Sequence, residues 1–237
     1  MIRLDRYVSE CGVLSRKQAV PAIKAGRVTV DGEVVTVPGF KISEDAGVTL
    51  DGNELSYSRY SYYMLYKPAG CVSAVKDKLS DTVIGYLKDV KTNGLFPVGR
   101  LDKDTEGLLL ITNDGQLCHD LISPVKHVKK TYYVVADISL PDNAPDEFER
   151  GIDIGDDEIC LPAVLKPSAL IDGYEGHAYE LTITEGRFHQ IKRMFYRYGA
   201  RVVYLKRLSV GGVKLDEALK PGEFRRLNEE ELRLLGK

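Results

Sequence analysis

The chain has 237 residues, of which 43% are apolar and 29% charged, and its formal net charge is −2. That is the balance of an ordinary soluble protein, long enough for one large or two unequal domains. No stretch approaches the roughly 18 to 20 apolar residues of a membrane span, and Met1-Ile2-Arg3-Leu4-Asp5-Arg6 has no apolar core of signal-peptide length. Cys11, Cys71, Cys118 and Cys160 are scattered, with no CxxC and no histidine at ligand spacing, which argues against a disulfide framework or a structural zinc site. No metal, no membrane partner and a reducing cytoplasm are expected.

The first elements read helix, turn, helix, then short strands. Leu4, Tyr7 and Val8 share a helical face, and Cys11-Gly12-Val13-Leu14 ends that helix. Ser15 reads as the N-cap of a second helix through Lys24. Arg16 and Lys17 fall in its first turn, where cations oppose the helix dipole, so a binding role suits them better than an architectural one. After Gly26, Arg27-Val28-Thr29-Val30-Asp31-Gly32-Glu33-Val34-Val35 reads as two strands joined by an Asp-Gly turn, and residues 41–50 supply a further strand. Residues 1–30 carry six Lys/Arg against two acids. Such a local patch binds phosphate whatever the whole-chain sum, although a solvated face is the alternative for any one patch. The order of Arg3-Leu4-Asp5, Ser15-Arg16 and Gly26-Arg27-Val28-Thr29-Val30-Asp31-Gly32 resembles a complete S4 RNA-binding domain over roughly residues 1–50. The resemblance implies RNA contacts at Arg3, Arg16, Lys17, Lys24 and Arg27, and by itself says nothing about catalysis.

Residues 51–61 are polar and turn-rich and read as a linker, which divides the chain into residues 1–57 and 58–237. Beyond it, strand-like runs at 62–66, 107–112, 131–138, 178–184 and 202–205 are interspersed with helical patches near 80–88, 115–122, 143–150 and 188–198. Without regular βαβ alternation, this predicts an α+β domain with a largely antiparallel sheet. In Gly99-Arg100-Leu101-Asp102-Lys103-Asp104-Thr105-Glu106-Gly107, Asp102 lies between Arg100 and Lys103, ahead of the buried strand Leu108-Leu109-Leu110-Ile111. A carboxylate among fixed cations stays ionised, as a nucleophile or an electrostatic stabiliser must; a turn residue or a salt-bridge partner is the other reading. Tyr132 and Tyr133 point to opposite faces of one strand, with Tyr133 the better core candidate. The strand 179–184 runs into Glu185-Gly186 and then a basic helix, whose Ile191, Met194 and Phe195 share an inner face. Residues 185–207 carry seven Lys/Arg against Glu185 alone, whereas 137–158 carry nine acids and only Arg150.

The string Gly99 to Gly115 closely resembles the catalytic-aspartate motif of the RNA pseudouridine synthases, within the branch that carries an S4 domain and modifies ribosomal RNA. Tyr63-Met64-Leu65-Tyr66-Lys67-Pro68-Ala69-Gly70 resembles that family's opening strand and Lys-Pro turn, with Tyr66 where members commonly have Asn. His127 to Val134 resembles the Lys-x-Tyr motif, which implies that Tyr132 packs on the target base and that Lys130 contacts RNA. Glu185 to Phe195 resembles the third motif, whose arginine pairs with the catalytic aspartate; Arg187 is the matching residue. A lone His189 suggests a general base, but its place in the motif implies an orienting or structural role, and His189, Gln190, Lys192 and Arg193, like Arg100, are expected RNA contacts. Leu205 to Gly211 and Pro221 to Leu227 match the closing pattern.

The resemblance implies an S4 domain joined to a synthase domain with a mixed, largely antiparallel sheet and a central cleft. It implies conversion of a specific uridine to pseudouridine with Asp102, Tyr132 and Arg187 as catalytic residues, after the base has been flipped from its stack. No cofactor is expected, and no P-loop or Rossmann fingerprint occurs in the chain. Ribosomal RNA, within an assembly intermediate, is the expected partner of a monomer. The N-terminal match and the absence of a basic C-terminal tail favour the small-subunit rRNA branch over the large-subunit one. A non-catalytic RNA-binding assembly factor is the reading from a different class.

Overall fold

A computed structural model describes residues 1–55, 57–155 and 159–237, in two units, Met1–Tyr60 and Ser61–Lys237. In the first unit, β1 (Ile2–Arg3) leads directly into α1 (Leu4–Glu10), and α2 (Arg16–Lys24) follows. Ser15 caps α2 in an extended conformation, and the Gln18 side chain accepts the Ser15 N–H at 3.0 Å, the return half of a capping box. β2 (Val28–Val30) and β3 (Glu33–Val34) are joined at Asp31-Gly32, both with positive φ, as a tight hairpin turn requires. β4 (Lys41–Ile42) pairs with β1, and β5 (Val48–Leu50) with β2. Leu4, Val8, Ile23, Val28 and Val48 are fully buried together.

The expected linker at 51–61 is partly structured. A second Asp-Gly turn, Asp51-Gly52, returns the chain as β6 (Asn53–Leu55) against β5. Tyr57 then stacks on Tyr7 with ring centroids 4.7 Å apart and donates to Glu10 at 3.0 Å. Those contacts carry the unit past the expected 57/58 boundary to Tyr60.

The second unit contains β7 (Tyr62–Lys67), β8 (Phe96–Pro97), β9 (Glu106–Thr112), α3 (Gly115–Ile122), β10 (Lys130–Ala136), α4 (Ala144–Arg150), β11 (Val164–Pro167) and β12 (His177–Ile183). After these come α5 (Gln190–Tyr196), β13 (Val202–Val210), β14 (Val213–Lys214), β15 (Phe224–Arg226) and α6 (Glu229–Leu234). The main sheet runs β11-β12-β10-β13-β9-β7-β15 and is antiparallel except for β9 with β13. Its central strands are covered on both sides. Tyr63, Leu65, Leu109 and Ile111 pack with Phe148 of α4 and Met194 and Phe195 of α5; Met64, Leu108 and Leu110 pack with Leu117 and Leu121 of α3. That double burial explains the unbroken apolar run of β9.

The helix expected near 80–88 is a single 3₁₀ turn, Val83–Tyr86, because consecutive β-branched residues with Gly85 among them support a longer helix poorly. α5 begins at Gln190, since His189 adopts a left-handed conformation (φ 49°, ψ 30°) that a helix cannot include. Among the described residues, no helix is long and apolar enough to cross a membrane.

Candidate active site

One row of residues crosses the sheet. Lys67 stands opposite Gly107, Gly107 opposite Arg207, Arg207 opposite Tyr132, and Tyr132 opposite Leu181. Directly opposed residues share a face, so two buried cations and Tyr132 lie on the side that packs with Leu101 and α5. Gly107 has φ +103°, and a Cβ there would meet the Arg207 carbonyl oxygen at 2.2 Å, so only glycine lets β9 and β13 approach. Arg207 Nε donates to Leu108 O at 2.7 Å, while its NH2 nitrogen is buried without a partner.

The loop that carries Asp102 is clamped from the 67–73 segment. Ser73 Oγ accepts from Leu101 N at 3.0 Å and donates to Leu101 O at 2.9 Å. Gly70 N donates to Lys103 O at 2.7 Å. The fully buried Lys67 donates to Thr105 O at 2.8 Å, Pro68 O at 3.0 Å and, at longer range, Lys103 O at 3.4 Å. Burial pushes the Lys67 ammonium below its usual range, opposed in part by the carboxylates of Asp104, Glu106 and Asp102. The turn closes on itself where Thr105 N donates to Asp102 O at 3.1 Å. Asp102 is therefore presented, half-buried, by a loop tied down on both sides.

α5 and the residue before it supply the neighbours of Asp102 and Asp104. Lys192 Nζ lies 3.3 Å from Asp102 Oδ2 and donates to Asp104 at 2.6 and 2.8 Å; His189 Nε2 is 3.6 Å from Asp102 Oδ1. Desolvation lowers the Lys192 ammonium, but the two aspartates outweigh it and raise the group. Desolvation likewise opposes Asp104, yet the Lys192 hydrogen bond holds that carboxyl below the usual range. The neighbours of Asp102 differ from the expected set. Arg187 Nε donates to Glu185 at 3.1 Å and its NH2 to Ile159 O at 2.9 Å, and Lys192 occupies the place expected for the guanidinium. The reason is Glu185, a carboxylate only 6% exposed that needs donors; it also accepts from Gln190 Nε2 at 2.8 Å and Leu161 N at 2.9 Å.

Three expected RNA contacts have partners within the protein. Gln190 is buried between Glu185 and the Arg187 N–H. Lys192 is committed to carboxylates. Arg193 donates to Ile154 O at 2.6 Å. Lys130 is half-buried and donates to Val128 O at 3.0 Å, and burial together with Arg207 pushes it below its usual range. Arg100 is exposed beside the Asp102 loop.

Tyr132 is buried on the Asp102 side, and its hydroxyl makes no hydrogen bond among the described residues. Tyr133 faces the other way, donates to Ala169 O and accepts from Ile171 N, both at 2.9 Å. In the first unit, Lys17 and Lys24 lie exposed on α2, without an ion pair among the described residues. Arg3 is paired with Asp5, which Arg16 also approaches at 3.5 Å, and Arg27 with Asp51.

Sequence reasoning missed Lys67, Ser73, Asp104 and Arg207. The signal for Lys67 is the Lys-Pro pair after β7, which resembles the family's Lys-Pro turn. Among the described residues, no group of three or more His, Cys, Asp or Glu is placed to hold a metal ion.

Comparison with known proteins agrees in both units. The RNA pseudouridylate synthase family pattern matches residues 61–196 and the S4 domain pattern residues 2–48. An uncharacterized RNA pseudouridine synthase of Bacillus subtilis is 43% identical over 236 residues, covering 99% of this chain and 98% of that one. Ribosomal small subunit pseudouridine synthase A is 42% identical in Vibrio parahaemolyticus and 39% in Escherichia coli K12, each covering 98% of both chains. A crystal structure of a pseudouridylate synthase, 37% identical, superposes with a TM-score of 0.68 over 99% of this chain and 100% of the other.

Proposed function

Because the chain belongs to the RNA pseudouridylate synthase family and carries an S4 domain at its N-terminal end, we propose that it converts one uridine of small-subunit ribosomal RNA to pseudouridine. The reaction breaks the N1–C1′ bond, turns the uracil and forms a C5–C1′ bond, and the proton lost from C5 is balanced by one gained at N1. Atoms and electrons balance within the nucleotide, so no cofactor is required. Asp102 acts on the ribose as nucleophile or base. Its clamped loop fixes the carboxylate before substrate arrives, which is how positioning lowers a barrier, and Lys192 and His189 stand beside it. Tyr132 supplies the ring against which an extruded uracil recovers stacking. Arg187 acts at one remove by holding Glu185 and the start of α5.

The S4 unit adds phosphate contacts through Lys17 and Lys24, and Arg100 adds one at the rim. The substrate is the RNA of a small-subunit assembly intermediate, bound by a monomer in the cytoplasm. The observation that carries the reading is the half-buried carboxylate of Asp102 on a loop tied down through Lys67 and Ser73. Asp102→Asn tests it. Pseudouridine formation on a small-subunit rRNA transcript should vanish while the melting temperature holds within a few degrees. Turnover by the variant, read by carbodiimide and primer extension, refutes the role of Asp102.

A further inference from the structure

Phe188 leaves 74% of its surface exposed, and its ring stacks on His189 with centroids 3.9 Å apart and planes 18° from parallel. Exposure of a whole aromatic ring forfeits the burial that stabilises such side chains elsewhere. The backbone enforces it. His189 holds φ 49° and ψ 30°, a left-handed conformation uncommon outside glycine, and Arg193 NH1 reaches Phe188 O at 3.4 Å. Strained backbone of this kind gathers at working sites. Through Nε2 the same histidine comes within 3.6 Å of Asp102. His189 thus contacts both the exposed Phe188 ring and Asp102.

We propose that the stacked Phe188–His189 pair is a base-stacking site for the RNA, and that its occupant is a nucleobase flanking the extruded uridine; this rests on the function proposed above. The target base itself is the worse fit. Tyr132 lies on the Asp102 side of the sheet, whereas Phe188 connects to Asp102 through His189, on which it stacks at 3.9 Å. That offset suits the neighbouring nucleotide. Every base has a π-face, so an exposed ring takes it without reading hydrogen bonds, and the step left empty by extrusion gains a stacking partner. The exposed Arg100 on the Asp102 loop supplies charge for the phosphate between the two nucleotides.

The test uses the full chain with Phe188→Ala, Phe188→Leu and Phe188→Trp. The uridine modified by the unsubstituted chain in a small-subunit rRNA transcript is mapped first. A hairpin spanning it is then made with 2-aminopurine at the 5′ or the 3′ neighbour. Phe188→Ala and Phe188→Leu should lower kcat/KM about 10-fold, through KM, the loss expected for one base–aromatic stack. Phe188→Trp should retain activity, kcat at saturating RNA should be unchanged in all three, and so should the melting temperature. The 2-aminopurine at one flanking position should be quenched by the unsubstituted chain and by Phe188→Trp, and not by Phe188→Ala. Unchanged kcat/KM in Phe188→Leu, or equal quenching by Phe188→Ala and the unsubstituted chain, overturns the stacking site. If the unsubstituted chain makes no pseudouridine, the functional reading fails instead. Filter binding of the same variants to the transcript then decides the stacking site, and equal affinities overturn it.

Discussion

Lys67→Met separates the architecture of the site from its chemistry. Methionine nearly matches the lysine in shape and removes the buried ammonium with its two good hydrogen bonds, to Thr105 O at 2.8 Å and Pro68 O at 3.0 Å. Hydrogen bonds from a charged donor contribute about 1.5–3 kcal/mol each, so roughly 3–6 kcal/mol is lost. Against that, an ammonium is no longer taken from water, a saving of several kcal/mol. Lys103 O keeps its bond from Gly70 N, so among the loop carbonyls it is Thr105 O that loses its donor. The net destabilisation should be about 1–3 kcal/mol, small enough for a folded variant.

Catalysis should suffer more, because the Asp102 loop then loses its tie at Thr105 O, and a displacement of about 1 Å in a catalytic group costs about 100-fold. The assay is single-turnover pseudouridine formation at saturating RNA, beside urea denaturation and filter binding. A kcat 10- to 100-fold down with unchanged RNA affinity is the expected outcome. The stability difference should also depend on pH. A lysine whose folded pKa lies below its unfolded value leaves the unfolded chain holding more protons between the two, so the unsubstituted chain gains stability as pH rises through that window and the variant does not. Unchanged kcat in a destabilised Lys67→Met would refute the clamp and leave Lys67 a mere filler of space.

Arg187→Ala should destabilise by about 1–3 kcal/mol, because a buried carboxylate loses one of its donors, and should lower turnover more than RNA affinity; paired denaturation and kinetics check both. Lys17→Ala with Lys24→Ala should weaken rRNA binding and flatten the salt dependence by about two phosphate contacts, leaving single-turnover kcat unchanged in filter-binding and kinetic titrations. Asp114 caps α3, accepting from Gln116 N and Leu117 N at 3.1 Å, Tyr62 at 2.8 Å and Lys237 at 2.7 Å. Desolvation would raise its carboxyl, but Lys237, the amides and Tyr62 hold it below the usual range. Its stabilisation is thus present above the unfolded pKa of about 3.9 and lost as pH falls through the lower folded value. Asp114→Asn should flatten the acid limb of the stability curve measured by denaturant titration.

The parts of the molecule that could be read in advance are those governed by local rules. Ser15 announces α2, Asp31-Gly32 announces a hairpin, and the alternation of Tyr132 and Tyr133 assigns their faces. Asp51-Gly52 carried the same hairpin signal inside a stretch whose polarity pointed to a linker, and the turn chemistry prevailed. β11 and β15 are too short to show a period, and they exist because long-range partners pair with them. The partners of Asp102 were hidden for a different reason. Motif order placed Arg187 near it, but the choice between Asp102 and Glu185 depends on which carboxylate is buried, and burial is a property of the assembled sheet. Lys67 reaches a loop more than thirty residues away, a distance no periodicity spans.

The parallel contact of β9 with β13 also orders events in time. It joins Glu106 to Lys206 and Gly107 to Arg207, and β7 finds its outer neighbour only at Phe224–Arg226. Pairings so distant in sequence form slowly, since the intervening chain must be closed first. During synthesis at about 5–20 residues per second, the first sixty residues complete their own core long before Arg207 leaves the ribosome. A nascent chain therefore displays a finished RNA-binding unit for several seconds while the sheet that supports Asp102 still lacks its central strand. Truncated products of interrupted translation would bind RNA without being able to modify it.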